Sequence, residues 1–147
     1  MKIIYMIAAF IAGTSMPLQS AINSRLSQQV GGPLYAAFIS FAGGLLLLIL
    51  MILASGIGLP PLSSFTGVKW YFYSGGLYGV MVITSIIMAA PVIGIGSTLV
   101  MIVTGQLLMS VVFDYFGFFG MPVINLSPAR IAGVVMIIAG VALVQTR

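Results

Sequence analysis

The stretch WYFYSGGLYGVMVITSIIMAAPVIGIGSTLVMIVTGQLLMSVVF, residues 70–113, decides the fold, because no charged residue interrupts it. A helix crosses a hydrocarbon core of about 30 Å with about 20 mainly apolar residues. The stretch is therefore too long for one crossing and suits two crossings joined tightly. Ala90-Pro91-Val92-Ile93-Gly94 is the natural break, since proline disfavours helical continuation and glycine accepts turn conformations closed to other residues. This predicts a third helix over residues 68–89 and a fourth over 94–113.

Working outward, the glycine- and proline-rich run Ser55-Gly56-Ile57-Gly58-Leu59-Pro60-Pro61 reads as a loop that closes a second helix over residues 33–53. That helix opens at Pro33 after Gly31-Gly32, a placement that suits proline in a first turn. A first helix over residues 3–28 precedes it, with Pro17 inside. Toward the C-terminus, Ser127 as N-cap and Pro128 at the first helical position open a fifth helix over residues 128–145. Lys2 and the apolar residues 3–12 have the start of a signal peptide, but the apolar pattern continues through Met16, so a first membrane span is the reading taken. The expected fold is all-α: one membrane domain over residues 1–147, an integral bundle of five transmembrane helices.

Composition agrees. Of the 147 residues, 61% are hydrophobic and 4% charged, and mean hydropathy is +1.27. A soluble domain carries about 25% charged residues. The net charge of +4 comes from five scattered basic residues that form no run, which reads as membrane anchoring and gives no nucleic-acid surface. There is no Cys and no His, which removes disulfides, thiol chemistry, soft-metal sites and the usual proton-transfer side chain.

Five spans put the chain ends on opposite sides. One face then holds Lys2, Lys69 and Arg130, offset by Asp114, and the other holds Arg25 and Arg147. Three basic residues against two is too small a bias to fix one orientation, so dual topology is an expectation. Tyr5, Trp70, Tyr71, Phe72, Tyr73, Tyr115, Phe116, Phe118 and Phe119 fall near the Lys2 face, with Tyr35 and Phe38 near the other, as interfacial belts do.

Polar side chains within spans are costly unless they face the bundle interior, a partner or a water-filled path. In the first helix Ser15, Gln19 and Asn23 recur every four residues beside Pro17, which frees a backbone carbonyl; they either line a substrate path or glue helices together. Thr84-Ser85 and Thr104-Gly105-Gln106 are the polar positions of the third and fourth helices, with the buried amide the stronger signal. Arg25 either snorkels to lipid phosphate or meets an anionic substrate group. Asp114, the only acid, is either an interfacial residue or a proton carrier. The candidate substrate-binding residues are Ser15, Gln19, Asn23, Arg25, Thr84 and Gln106. Small residues at packing spacing, Ala36/Ser40/Gly44, Gly75/Gly79 and Ala129/Gly133 with Gly140, let backbones approach closely, and the fifth helix is the leading candidate for a dimer contact.

No enzyme constellation is present: a triad lacks His, carboxylate chemistry lacks a second acid, and no phosphate-binding glycine loop with its Lys occurs. No cofactor is implied.

At Pro17-Leu18-Gln19-Ser20-Ala21-Ile22-Asn23-Ser24-Arg25-Leu26, at Gly32-Pro33-Leu34 and at Phe41-Ala42-Gly43-Gly44, the sequence resembles the bacterial YdcZ-like family of the drug/metabolite transporter superfamily. The likeness resumes at Gly75-Gly76-Leu77-Tyr78-Gly79, at residues 91–96, at Gly105-Gln106-Leu107-Leu108, at Asp114-Tyr115-Phe116-Gly117, and at Ser127-Pro128 with Arg130 and Gly133. The resemblance implies a five-helix unit of the bacterial inner membrane, half of an inverted-repeat transporter of ten helices. It also implies antiparallel pairing, with a second copy or a homologous chain, and places the family's polar residues on Gln19, Asn23, Arg25, Gln106 and Asp114. One departure stands out: related small multidrug exporters carry an embedded Glu in the first helix, where this chain has only Ser15 and Gln19.

The function expected is a small-molecule transporter, exporter-like, acting as a dimer by alternating access, with membrane lipid, a second copy and a small-molecule substrate as its partners. A non-transporting membrane subunit or scaffold is the competing class.

Overall fold

A computed structural model describes residues 2–145; Arg147, assigned above to the face of Arg25, lies outside the described residues. Five α-helices follow one another: α1 (Lys2–Val30), α2 (Pro33–Ser55), α3 (Gly75–Ile93), α4 (Ile95–Phe116) and α5 (Pro128–Gln145). Short 3-10 turns occupy Leu62–Phe65, Trp70–Ser74 and Phe118–Gly120, and no strand occurs among the described residues. All five helices are long and apolar enough to cross a membrane.

The break that decided the reading is placed at Gly94, whose φ of +87° ends α3 and opens α4 in one residue. Pro91 does not end α3. Its missing N–H removes only the bond to the Ile87 carbonyl, and the helix runs one turn further until Gly94 reverses the chain. The start of α3 also differs from the expected residue 68. Lys69 is extended, and Trp70–Ser74 forms a 3-10 turn before the α-helix begins at Gly75. Aromatic residues at a helix start suit a membrane interface, where water can satisfy backbone groups that an apolar interior would force into a continuous α-ladder.

Gly117 ends α4 in the left-handed region at φ +63°, and a Cβ there would stand 2.7 Å from the Val123 side chain. Only glycine fits this close return. The returning loop is pinned by the Ile124 N–H, which donates to the Asp114 carbonyl at 2.8 Å.

The core lies where α1, α2 and α3 meet. Ala36 and Ala37 of α2 and Ile83 and Ile87 of α3 are buried together, and Leu26 and Val30 of α1 pack against them. Alanine lets α2 approach closely, which is what makes helix contact favourable in a lipid environment that supplies no hydrophobic drive between helices. α1 packs on α2, α3 and α4, α3 also packs on α2 and α4, and α5 rests on α4 at the rim. α5 has no buried residue.

The chain exposes 11212 Å². A compact soluble monomer of 15.4 kDa exposes about 7,200 Å². The five helices thus form an open assembly whose outer surface is built for contact with something other than water.

Candidate functional site

The polar residues of α1 do not act as one row. A step of four residues advances about 400° around a helix, so each fourth residue drifts by about 40°. Ser15 and Gln19 are exposed, while Asn23 has turned inward and is 4% exposed. Its amide Nδ2 donates to Ser40 Oγ of α2 at 3.2 Å, a bond between helices. The Ser15 hydroxyl donates to the Ala12 carbonyl of its own helix at 2.6 Å.

The buried polar atoms of the bundle include Thr84, named from the sequence, and Ser20 and Ser24, which the sequence reading missed. Ser20 is 1% exposed, and the hydroxyls of Ser20, Ser24 and Thr84 are buried without a hydrogen-bond partner among the described residues. Thr98 of α4 is also buried, but its hydroxyl donates to the Gly94 carbonyl at 2.8 Å. Thr104 likewise donates to Val100, at 2.7 Å. Threonine and serine commonly satisfy themselves in this way within a helix, so the unpartnered hydroxyls are the informative ones. The spacing of Ser20 and Ser24, one turn apart within the polar segment, was the available signal.

Gln19 and Gln106 behave differently from Asn23. Both are exposed, and neither makes a hydrogen bond among the described residues. Gln106 is at the middle of α4, and Gln19 lies within a turn of the middle of α1. Their amides therefore stand on the outer surface of the single chain, near the middle of helices long and apolar enough to span a membrane.

Arg25 is exposed near the end of α1, and its guanidinium donates to Gln28 Oε1 at 3.4 Å. Ser24, Arg25 and Gln28 border an open cleft of about 230 Å³ whose other wall is Pro91 and Ile95, at the break between α3 and α4. The structure thus brings Arg25 together with the α3–α4 turn, far away in sequence.

Asp114, the only acid, forms an ion pair with Arg130, each side chain about a third or less exposed. This joins the end of α4 to the start of α5 across the returning loop. Tyr71 and Phe119 stand 6.2 Å apart, and Phe113 makes edge contacts with Phe118 at 5.6 Å and Phe119 at 5.9 Å. The aromatic residues before α3 and after α4 therefore meet at one end of the molecule, as an interfacial belt requires. Among the described residues no group of His, Cys, Asp or Glu could hold a metal ion.

No curated protein matches the chain, and no solved structure does. A family model described as "Putative inner membrane exporter, YdcZ" matches residues 4–143. That match covers every membrane-spanning helix through most of α5, and the family it names is one of the inner membrane, in keeping with five helices long and apolar enough to span. The chain belongs to the YdcZ family of inner-membrane exporters.

Proposed function

We propose that the chain is a small-molecule exporter that works as a dimer, with the surface bearing Gln19 and Gln106 turned toward a second copy or a homologous chain and toward the substrate path between them. The observation that carries this reading is the exposure of two unpartnered amides near the middle of α1 and α4. Leaving an amide in hydrocarbon without a hydrogen bond costs roughly 2–7 kcal/mol. Two such amides make lipid the wrong neighbour for this surface, and a water-containing interface the right one.

An odd number of spans reverses orientation when the unit is copied. Two chains of opposite orientation would then form an inverted repeat, and rocking one against the other would expose the path alternately to each side. Thr84 and the inner end of α1 would line that path, with Arg25 near its mouth. Ser15 is a weaker member of the set, since its hydroxyl is already bonded to its own helix.

The competing reading, a non-transporting scaffold, draws its support from Asn23, whose bond to Ser40 is helix-to-helix glue. Reconstitution of the purified chain alone into proteoliposomes separates the two. Substrate flux without any other protein is the expected result, with Gln19→Ala and Gln106→Ala each lowering it. Unchanged flux in both variants overturns the site assignment, and absence of flux across a broad panel of organic solutes favours the scaffold.

A further inference from the structure

The cleft beside Arg25 has a chemistry of its own. Arg25 is a permanent cation with five N–H donors, and one of them reaches Gln28 at the long distance of 3.4 Å. Among the described residues no carboxylate is left to neutralise it. The only acid, Asp114, is engaged with Arg130, at the opposite end of α4 from Ile95 of the cleft wall. An uncompensated guanidinium at the edge of a membrane takes its counter-anion from outside the chain.

The surroundings favour that anion in this cleft. Gln28, three residues on, borders the same space and carries an amide with two donors. Ser24 borders it too, and both its hydroxyl and that of Ser20, one turn deeper, are buried without a partner; Ser20 is 1% exposed. The opposite wall includes Ile95, the first residue of the 22-residue helix α4, whose N-cap is Gly94 and therefore supplies no capping side chain. The first N–H groups of α4 have no intrahelical acceptor, and the helix dipole adds partial positive charge at that end. A volume of about 230 Å³ has room for a carboxylate or phosphate group with part of the molecule that bears it.

We propose that this cleft binds the carboxylate or phosphate group of an organic anion, with Arg25 as the charge partner and Gln28, the Ser24 row and the first turn of α4 as hydrogen-bonding groups. The inference rests on the exporter reading only for its consequence, that the exported solutes are small organic anions. The anion itself comes from one of two sources, a soluble solute or a phospholipid headgroup.

The test is binding to the purified full-length chain in nanodiscs of phosphatidylcholine, titrated with sodium phosphate and sodium acetate against sodium chloride at matched ionic strength. Saturable binding is expected, weakened about tenfold or more by Arg25→Ala. Arg25→Lys, which keeps the charge and loses the planar fork, is expected to fall between. Lys69→Ala, at the other end of the spans, is the control for non-specific charge. A second arm uses discs containing phosphatidylglycerol. Retention of that lipid through Arg25, with displacement of phosphate, assigns the cleft to a headgroup, whereas phosphate or acetate binding that survives the lipid assigns it to a solute. Equal binding by wild type and by helical, monodisperse Arg25→Ala and Arg25→Lys, or no saturable binding of any of the three probes, overturns the proposal. Flux that persists while Arg25→Ala leaves binding unaltered removes the cleft and keeps the exporter. Arg25-dependent binding without flux does the reverse.

Discussion

The junction of α1, α2 and α3 and the outer limb of α4 and α5 are built from similarly apolar helices, yet they are finished to different degrees. Helices α1 to α3 hold nearly every buried residue among those described, with Ala36, Ala37, Ile83 and Ile87 clustered at the junction, which also carries an interhelical hydrogen bond from Asn23. The limb has Thr98 buried in α4 and no buried residue in α5. It is held at one end by the Asp114–Arg130 ion pair and the returning loop. The difference teaches that hydropathy marks a segment as membrane-spanning without saying whether its neighbour is protein or lipid. The junction is closed by the chain's own small residues, whereas Gly133 and Gly140 of α5 are half-buried with nothing within 4 Å of a Cβ built on either, so α5 is the more loosely packed helix.

The largest expected effect comes from overpacking the two regions in the same way. Ala36→Leu, at a fully buried position, is expected to destabilise the monomer by about 1–3 kcal/mol, read as a lower unfolding midpoint in detergent. Gly133→Leu, where a Cβ meets nothing within 4 Å, should leave that midpoint within error and, on the proposed pairing with α5 in the contact, lower the dimeric fraction seen by crosslinking in membranes. A loss of monomer stability with Gly133→Leu equal to that of Ala36→Leu would erase the distinction between the regions.

The tether of the limb comes next. Asp114→Asn leaves Arg130 without its charge partner and is expected to cost about 1 kcal/mol, discounted because both side chains are partly solvated. A double-mutant cycle with Arg130→Ala measures the coupling, and zero coupling would show that the loop and the packing on α4 hold α5 in place without the ion pair. The smallest effect belongs to the junction's polar bond. Asn23→Ala is expected to cost about 0.6 kcal/mol, as interhelical hydrogen bonds in membrane proteins do, with flux retained. A severe loss of flux with the fold intact would move Asn23 from helix packing into the substrate path.

Much of the architecture was legible because the signals that determine it are local. The uncharged length of residues 70–113, the loop run 55–61 and the Ser127-Pro128 start act through hydropathy and backbone conformation within a few residues, and they give the number and order of the five helices. The expected end of the third helix at residue 89 missed by a turn, because Pro91 weakens a helix without being obliged to stop it, while Gly94 supplies the positive φ that does.

The candidate site was legible in residue type and less so in partnership. Ser15, Gln19 and Asn23 look equivalent at a spacing of four, but a modest helical drift turns Asn23 into the junction and leaves the other two outside. Asn23 meets Ser40 across 17 positions and Arg130 meets Asp114 across 16. Such pairs depend on the rotation of one helix against another, a quantity that no single segment encodes. The sequence by itself determined an all-α membrane protein of five spans, without thiol, imidazole or paired-carboxylate chemistry, because hydrophobic length, turn residues and composition are properties of the chain read one segment at a time. Only the tertiary structure decided which polar groups are satisfied within the chain, which face outward, and that Arg25 shares a cleft with the start of α4, because close approach and helix phase are set by packing between segments distant in sequence.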